Sequence, residues 1–290
     1  LGDVYKRQLD MRKNRKNNSR TWGNRICIAA FLLTCSFMLG GCGVKKEKEA
    51  DSELPKIVIG MDYFEPYSYQ ASDGEYKGID VELAKEAFRR LGYRPKFENI
   101  VWEDKDELLA DGTVDCLWSS YSMNGREDKY QWAGPYLYSR QMVVVKNESE
   151  IQTLSDLKGK RIAVQATTKA EDLFLHNIKS DLPQMQQVNC FSTTNEIYAA
   201  LRKSYVDAIA GHEAMLGSLV KEGKDAYRML DESIYKSELG VAFKKGTHEE
   251  VAADLTETLK KLQREGITEK IVTKYGLDAD EILPEGEQNE

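Results

Sequence analysis

The apolar run Val114-Asp115-Cys116-Leu117-Trp118 passes directly into Ser119-Ser120-Tyr121-Ser122-Met123-Asn124-Gly125-Arg126, and Gln131-Trp132-Ala133-Gly134-Pro135-Tyr136 follows a few residues later. The run reads as a buried strand. The polar cluster of small hydroxyls, one amide and one arginine then sits in turn-forming residues at its carboxyl end, where open α/β sheets bind ligands. A guanidinium fixed there suits a small carboxylate, which arginine grips in bidentate fashion. The competing reading is a hydrophilic loop whose arginine faces water, and the rest of the chain decides between them.

Working outward, 290 residues are enough for two lobes with their own cores. The amino end stands apart from the rest. Met11 is followed by Arg12, Lys13, Arg15, Lys16, Arg20 and Arg25, then by the apolar residues 26–38. A charged segment before a short apolar one is the pattern of an export signal, and the run is too short to span a bilayer comfortably. It closes with Leu39-Gly40-Gly41-Cys42, which resembles the lipobox of bacterial lipoproteins. That resemblance implies cleavage before Cys42 and a diacylglycerol, with palmitate, on its thiol. Residues 1–41 are therefore assigned as a signal peptide, with 1–10 read as non-native adapter sequence ahead of Met11. Residues 42–55, rich in Lys, Glu, Asp and Ser, form a lipidated, solvated tether.

The first 41 residues carry eight Lys/Arg and two Asp/Glu, so the mature chain keeps 33 basic and 46 acidic residues, a net of about −13. This lacks the basic footprint of a nucleic-acid partner. Cys27 and Cys35 leave with the signal. Cys116 and Cys190 lie in apolar strand-like runs and are expected as inert core thiols without a disulfide. His176, His212 and His248 are far apart in sequence, no spacing suggests a metal site, and no cofactor is implied.

In the mature chain, strands are expected at 56–61, 96–101, 114–118, 141–145, 161–165, 185–191, 206–210 and 239–243. Helices are expected from Asp80 to Leu91, stopped by Gly92, and at 103–110, 193–203, 212–221, 248–264 and 267–275. Another starts after Thr167 and Thr168 and runs to about Ile178. Leu83, Ala84, Ala87, Phe88 and Leu91 share one face of the first helix. Alternating strand and helix predicts βαβ units and a largely parallel sheet, and one βα set after another predicts a bilobed α/β protein.

From about Ile57 to Gly276 the sequence resembles the family 3 solute-binding proteins of bacterial ABC importers, the polar-amino-acid-binding group. The resemblance rests on Asp62 with Phe64-Glu65-Pro66-Tyr67, Gly78-Ile79-Asp80-Val81-Glu82-Leu83-Ala84, Trp102, and Gly112-Thr113-Val114-Asp115. It continues through Arg126 with Trp132-Ala133-Gly134-Pro135-Tyr136, Asp156-Leu157-Lys158-Gly159-Lys160, Tyr205-Val206-Asp207-Ala208-Ile209 and Glu265-Gly266-Ile267-Thr268-Glu269-Lys270. It implies a periplasmic-binding-protein-like type II fold, two α/β lobes joined by two crossover strands near residues 138–145 and 237–241. Lobe 1 is then 56–142 plus 239–285, and lobe 2 is 143–238.

The resemblance also implies a ligand site. Arg126 matches the arginine that holds the ligand α-carboxylate. Its loop is one residue shorter than the common pattern, so Ser122 stands for the first threonine and Ser120 for the small residue whose backbone touches ligand. Phe64 matches the aromatic that stacks on the ligand, and Trp118 and Tyr121 add π-surface. Thr167 and Thr168 lie across the cleft at a helix amino terminus, whose free N–H groups favour an anion; a plain N-cap is compatible with the same residues. Ala166 replaces the usual glycine before them. At the ammonium end the usual aspartate position holds His212. Glu213 is the better partner for an ammonium, with Asp62 contributing and a neutral His212 as the alternative acceptor.

The leading function is thus a substrate-binding lipoprotein of an ABC importer. It is expected outside the cytoplasm, anchored through Cys42 on the periplasmic side in a Gram-negative cell, and monomeric. It would capture an amino acid or similar zwitterion and deliver it to a membrane permease without bond chemistry. The alternatives are an enzyme on the same scaffold, of the cyclohexadienyl dehydratase kind with His212 or Glu213 as acid or base, and a ligand-sensing lipoprotein.

Overall fold

Strand β6 (Tyr130–Lys146) is 17 residues long because it serves two halves of one sheet. Its residues 130–141 pair antiparallel with the whole of β11 (Tyr235–Lys244), Tyr130 opposite Lys244, while residues 141–145 pair antiparallel with β9 (Ala208–His212), Gln141 opposite His212. The strand order of the nine-stranded sheet is β4-β1-β5-β11-β6-β9-β7-β8, with β10 (Tyr227–Met229) also on β6. The remaining strands are β1 (Lys56–Met61), β4 (Arg94–Asn99), β5 (Cys116–Ser122), β7 (Arg161–Gln165) and β8 (Gln187–Phe191); β2 (Tyr69–Gln70) and β3 (Tyr76–Lys77) form a separate hairpin. The computed structural model describes residues 54–176 and 181–284. The export signal, Cys42 and all but the last two residues of the tether lie outside the described residues.

This is the bilobed α/β fold. Lobe 1 carries the parallel set β4-β1-β5 and lobe 2 the parallel set β9-β7-β8, joined through the long antiparallel strands β6 and β11. The largely parallel sheet expected from the alternation is thus mixed: parallel within each lobe, antiparallel at β6 and β11. The two strands that pass between lobes must run against their neighbours, because each leaves one lobe and enters the other.

Helices cover both faces. On one face lie α1 (Ile79–Arg90), α6 (Glu249–Arg264) and α7 (Ile267–Lys274) of lobe 1, with α4 (Thr194–Arg202) and α5 (Glu213–Gly223) of lobe 2. Each presents one apolar stripe; in α6 it is Ala252, Leu255, Leu259 and Leu262, and each fully buried leucine contributes roughly 1.5–3 kcal/mol. On the other face, α2 (Lys105–Ala110) closes a lobe 1 core around Trp102, Tyr121 and Tyr130, and α3 (Lys169–Phe174) closes a lobe 2 core around Val164, Leu173 and Phe174. A short α8 (Ala279–Ile282) ends the described chain. No helix among the described residues is long and apolar enough to cross a membrane.

Three local expectations shift. The third strand does not stop at Trp118 but continues through Ser119–Ser122, all buried, because Tyr121 and Ser122 pair with Gly240 and Leu239 of β11. The helix after Thr168 ends at Phe174, and residues 177–178, to which it was expected to run, lie outside the described residues. Cys116 is buried as expected, but Cys190 is exposed on β8, which ends the sheet, so it is not a core thiol; both are free.

Candidate functional site

Two parallel pairs of strands, one pair from each lobe, point their carboxyl ends at the same place. Asp62 and Phe64 follow β1, Ser119 to Ser122 end β5, Gln165 ends β7 and His212 ends β9. Together with Trp102, Thr168 and Lys169 they line a narrow cavity of about 20 Å³ between the lobes, room for a single water-sized group until the lobes part. This is the position at which open α/β sheets bind ligands, outside the carboxyl ends of the strands.

The lobe 1 wall is held from beneath by Asp80. Gly78 makes the turn into α1 at φ +124°, where an added Cβ would lie 2.2 Å from the Tyr67 carbonyl oxygen, so only glycine fits. The turn places Asp80, 1 % exposed, under the β5 tip. Its carboxylate accepts the Ser120 N–H at 2.6 Å and the Tyr136 hydroxyl at 2.8 Å. Burial pushes its pKa up to about 7, with those donors pulling the other way. Ser120 itself sits at φ 50°, the left-handed region, and the Asp80 hydrogen bond helps to hold it there. Two residues on, Ser122 lines the cavity, and its buried hydroxyl has no hydrogen-bond partner among the described residues. An unsatisfied buried donor at a cavity wall is a seat for a ligand atom.

Charges of both signs meet here. Gln165 donates to Asp62 at 2.6 Å across the cleft, and burial raises the Asp62 pKa. Lys169, 4 % exposed, has its pKa lowered by burial and by the Arg126 guanidinium. Lys105, equally buried, spans the lobes by donating to the Thr167 hydroxyl at 2.8 Å, and burial brings its pKa down to about 8. His212 is edge-on to Phe64 with ring centroids 5.5 Å apart, and its Nδ1 lies 2.9 Å from the Ser139 hydroxyl. Burial, with Arg126 adding to it, depresses the imidazole pKa to about 3, so the ring is neutral at physiological pH and unsuited to proton transfer there.

Of the residues expected from sequence, Asp62, Phe64, Ser120, Tyr121, Ser122, Thr168 and His212 line the cavity. The others do not. Trp118 faces the core, 5.6 Å from Tyr136 and 6.0 Å from Phe88 between ring centroids. Glu213 faces the far side of the crossover strands, where Arg140 holds both its oxygens, at 2.7 Å and 2.5 Å. Thr167 sits at φ 58°, where relatives are expected to have glycine nearby, and its N–H is taken by the Glu171 carboxylate, so that amide is not free for an anion. Arg126 stands at the rim. Its Nη1 donates to the Ser122 carbonyl at 3.1 Å, its plane lies 5.2 Å from the Tyr121 ring centre, and its Nη2 is 2.5 Å from Asp172 of lobe 2.

Gln165, Lys169 and Asp172 were not foreseen. Gln165 is the polar end of an apolar strand, a legible position for a strand-tip residue. Lys169 also left a trace, since a lysine in the first turn opposes the helix dipole and signals a role other than helix stability. Asp172 left none, as an acidic residue early in a helix is ordinary.

Comparison with known proteins adds the family. The family model for bacterial extracellular solute-binding proteins, family 3, matches residues 57–278. The chain is 26 % identical over 227 residues to the L-cystine-binding protein TcyJ of Escherichia coli K12, covering 77 % of this chain and 83 % of that protein. It is 24 % identical over 277 residues to the L-cystine-binding protein TcyA of Bacillus subtilis, covering 87 % and 97 %. Among solved structures it is similar to an ABC uptake transporter substrate-binding protein from Streptococcus pneumoniae with bound histidine, with a TM-score of 0.69, 25 % identity and coverage of 82 % and 98 %. With the interlobe cavity at the strand tips, these matches establish that the chain belongs to family 3 of the bacterial extracellular solute-binding proteins.

Proposed function

We propose that this chain captures an amino acid, or a similarly small zwitterion, between its lobes and hands it to an ABC permease in the membrane, from an anchor on the Cys42 thiol. The observation that carries the reading is the interlobe cavity itself, lined by the half-buried Asp62 and the buried Lys169, with the Arg126 guanidinium hydrogen-bonded to the carbonyl of Ser122 in its wall. A zwitterion answers both signs at once. Asp62 takes the ammonium, since Glu213 is committed to Arg140. Lys169, Arg126 and the free Ser122 hydroxyl take the carboxylate, and Phe64 packs against the side chain. The relatives support this class of solute, being named for L-cystine binding or holding bound histidine. The ligand adds interactions that exist only when both lobes meet, so it shifts the equilibrium toward the closed form. An acid–base reaction finds less support, because His212 is neutral with a pKa of about 3.

Thermal melting of the purified chain with each common amino acid and L-cystine tests the proposal. A ligand at a hundred times its dissociation constant adds about 2.7 kcal/mol, and Lys169→Ala should abolish the shift. No shift with any amino acid in a folded sample, or an undiminished shift in Lys169→Ala, overturns it.

A further inference from the structure

Asp172 occupies the place at which a ligand carboxylate would meet Arg126. One of its oxygens, Oδ2, is 2.5 Å from Arg126 Nη2 and 3.5 Å from Lys169 Nζ. The two cations come from opposite lobes, so a single carboxylate of the chain links the cleft in the way an anionic ligand group would. The other terminal nitrogen of Arg126 is engaged by the Ser122 carbonyl. No bidentate fork is therefore open to an incoming carboxylate until Asp172 leaves.

The exposures show which member leaves. The side chains of Arg126 and Lys169 are 10 % and 3 % accessible, while that of Asp172 is 23 % accessible. Asp172 has the route to water and the two cations do not. Once it swings out, the cations remain in a desolvated setting where an unmatched charge is costly. Only a group that brings its own negative charge restores the balance, and a neutral amide or ester of the same shape does not.

We propose that Asp172 is an internal surrogate for the ligand carboxylate and the residue that sets the specificity of this cleft for carboxylate-bearing solutes: it latches the ligand-free chain in its closed form and is exchanged, carboxylate for carboxylate, when the solute enters. The inference rests on the capture of a zwitterion proposed above and deepens it by naming the group that the entering carboxylate displaces.

The test uses Asp172→Asn in two measurements. The first is calorimetric titration of wild type and variant with L-arginine, L-histidine and L-cystine, each beside its amide or ester (L-argininamide, L-histidinamide, L-cystine dimethyl ester). The acids that bind wild type should bind the variant about tenfold tighter, about 1.4 kcal/mol, because the competitor is gone, and the amides and ester should gain nothing comparable. The second needs no ligand: spin-label distances between the two lobes should lengthen in the ligand-free variant. Equal or weaker binding of the acids by the variant, an equal gain for the amides, or an unchanged interlobe distance each overturns the proposal. If none of the probes binds either protein while the interlobe distance still lengthens, the zwitterion reading fails and the latch stands. Asp172→Ser removes the same charge should the asparagine variant not fold.

Discussion

His212→Gln separates two buried titrations that cancel in the wild type. His212 is held neutral, its pKa brought from 6.5 to about 3 chiefly by burial. A base depressed in this way contributes stability above its unfolded pKa and loses it as the pH falls toward the folded value. Between pH 6.5 and about 3 the unfolded chain binds a proton that the folded chain refuses, a slope of about 1.4 kcal/mol per pH unit. Asp80 acts in the opposite sense. Its pKa is raised from 3.8 to about 7, so the folded chain binds a proton that the unfolded chain releases, and its contribution is present below pH 3.8 and lost as the pH rises through 7. Across pH 4.5–6.5 the two slopes oppose each other. Removing the imidazole while keeping a polar group of similar reach leaves the Asp80 slope uncovered. Relative to wild type, His212→Gln should therefore gain roughly 2 kcal/mol on going from pH 6.5 to pH 4.5, somewhat under two full units of the linkage slope, which is only half developed at the unfolded pKa. Urea unfolding followed by tryptophan fluorescence at half-unit steps of pH measures this directly, since the difference between the two proteins removes every group they share. A difference that stays constant over that range would refute the assignment of His212 as a buried neutral ring.

Asp80→Asn should give the mirror result in the same series: it removes the Asp80 contribution that falls between pH 4 and 7 and leaves the His212 slope uncovered, so the wild type falls relative to the variant as pH rises, by about 1.4 kcal/mol per unit. A variant that tracks wild type at every pH would contradict it. Gly78→Ala should cost about 3 kcal/mol or more, because the backbone at φ +124° disfavours any side chain and the new Cβ meets the Tyr67 carbonyl oxygen at 2.2 Å. Chemical denaturation reads that loss, and a variant within 1 kcal/mol of wild type would show that the turn relaxes freely.

What could be read from the chain alone followed how local each signal was. The apolar stripe of α1 and the short β-branched run of β1 are periodic over a few residues, so both elements stand where the pattern put them. The tips of β1, β5 and β9 were legible too, since Asp62, Ser120, Ser122 and His212 follow apolar runs and converge on one cavity. The boundaries of β5 were not, because whether Ser119 to Ser122 are loop or strand depends on pairing with β11, more than a hundred residues away. Glu213 was misplaced for a related reason. It directly follows His212, and that single step passes from the end of β9 into α5, turning its side chain to Arg140. Asp172 was invisible because its meaning lies in a partner on the other lobe.

The same cross-lobe pairing limits how the molecule can work. Asp62 with Gln165, Lys105 with Thr167, Glu103 with Ser192 and Arg126 with Asp172 all cross the cleft, so the chain supplies closing contacts of its own. A binding protein that closed fully when empty would gain nothing from its ligand, since a ligand shifts an equilibrium only by its differential affinity for the two states. Moving that equilibrium from 1:99 to 99:1 takes about 5.5 kcal/mol, whereas a single hydrogen bond contributes a net of about 0.5–1.5 kcal/mol. The latch must therefore be weaker than the grip it anticipates. The geometry satisfies this: Asp172 is the most solvent-accessible member of its triad with Arg126 and Lys169, and the Ser122 hydroxyl lacks a partner among the described residues. A solute that offers a carboxylate to the two cations and a hydrogen-bond acceptor to Ser122 supplies what the empty closed form lacks, and that surplus is the free energy available to drive closure.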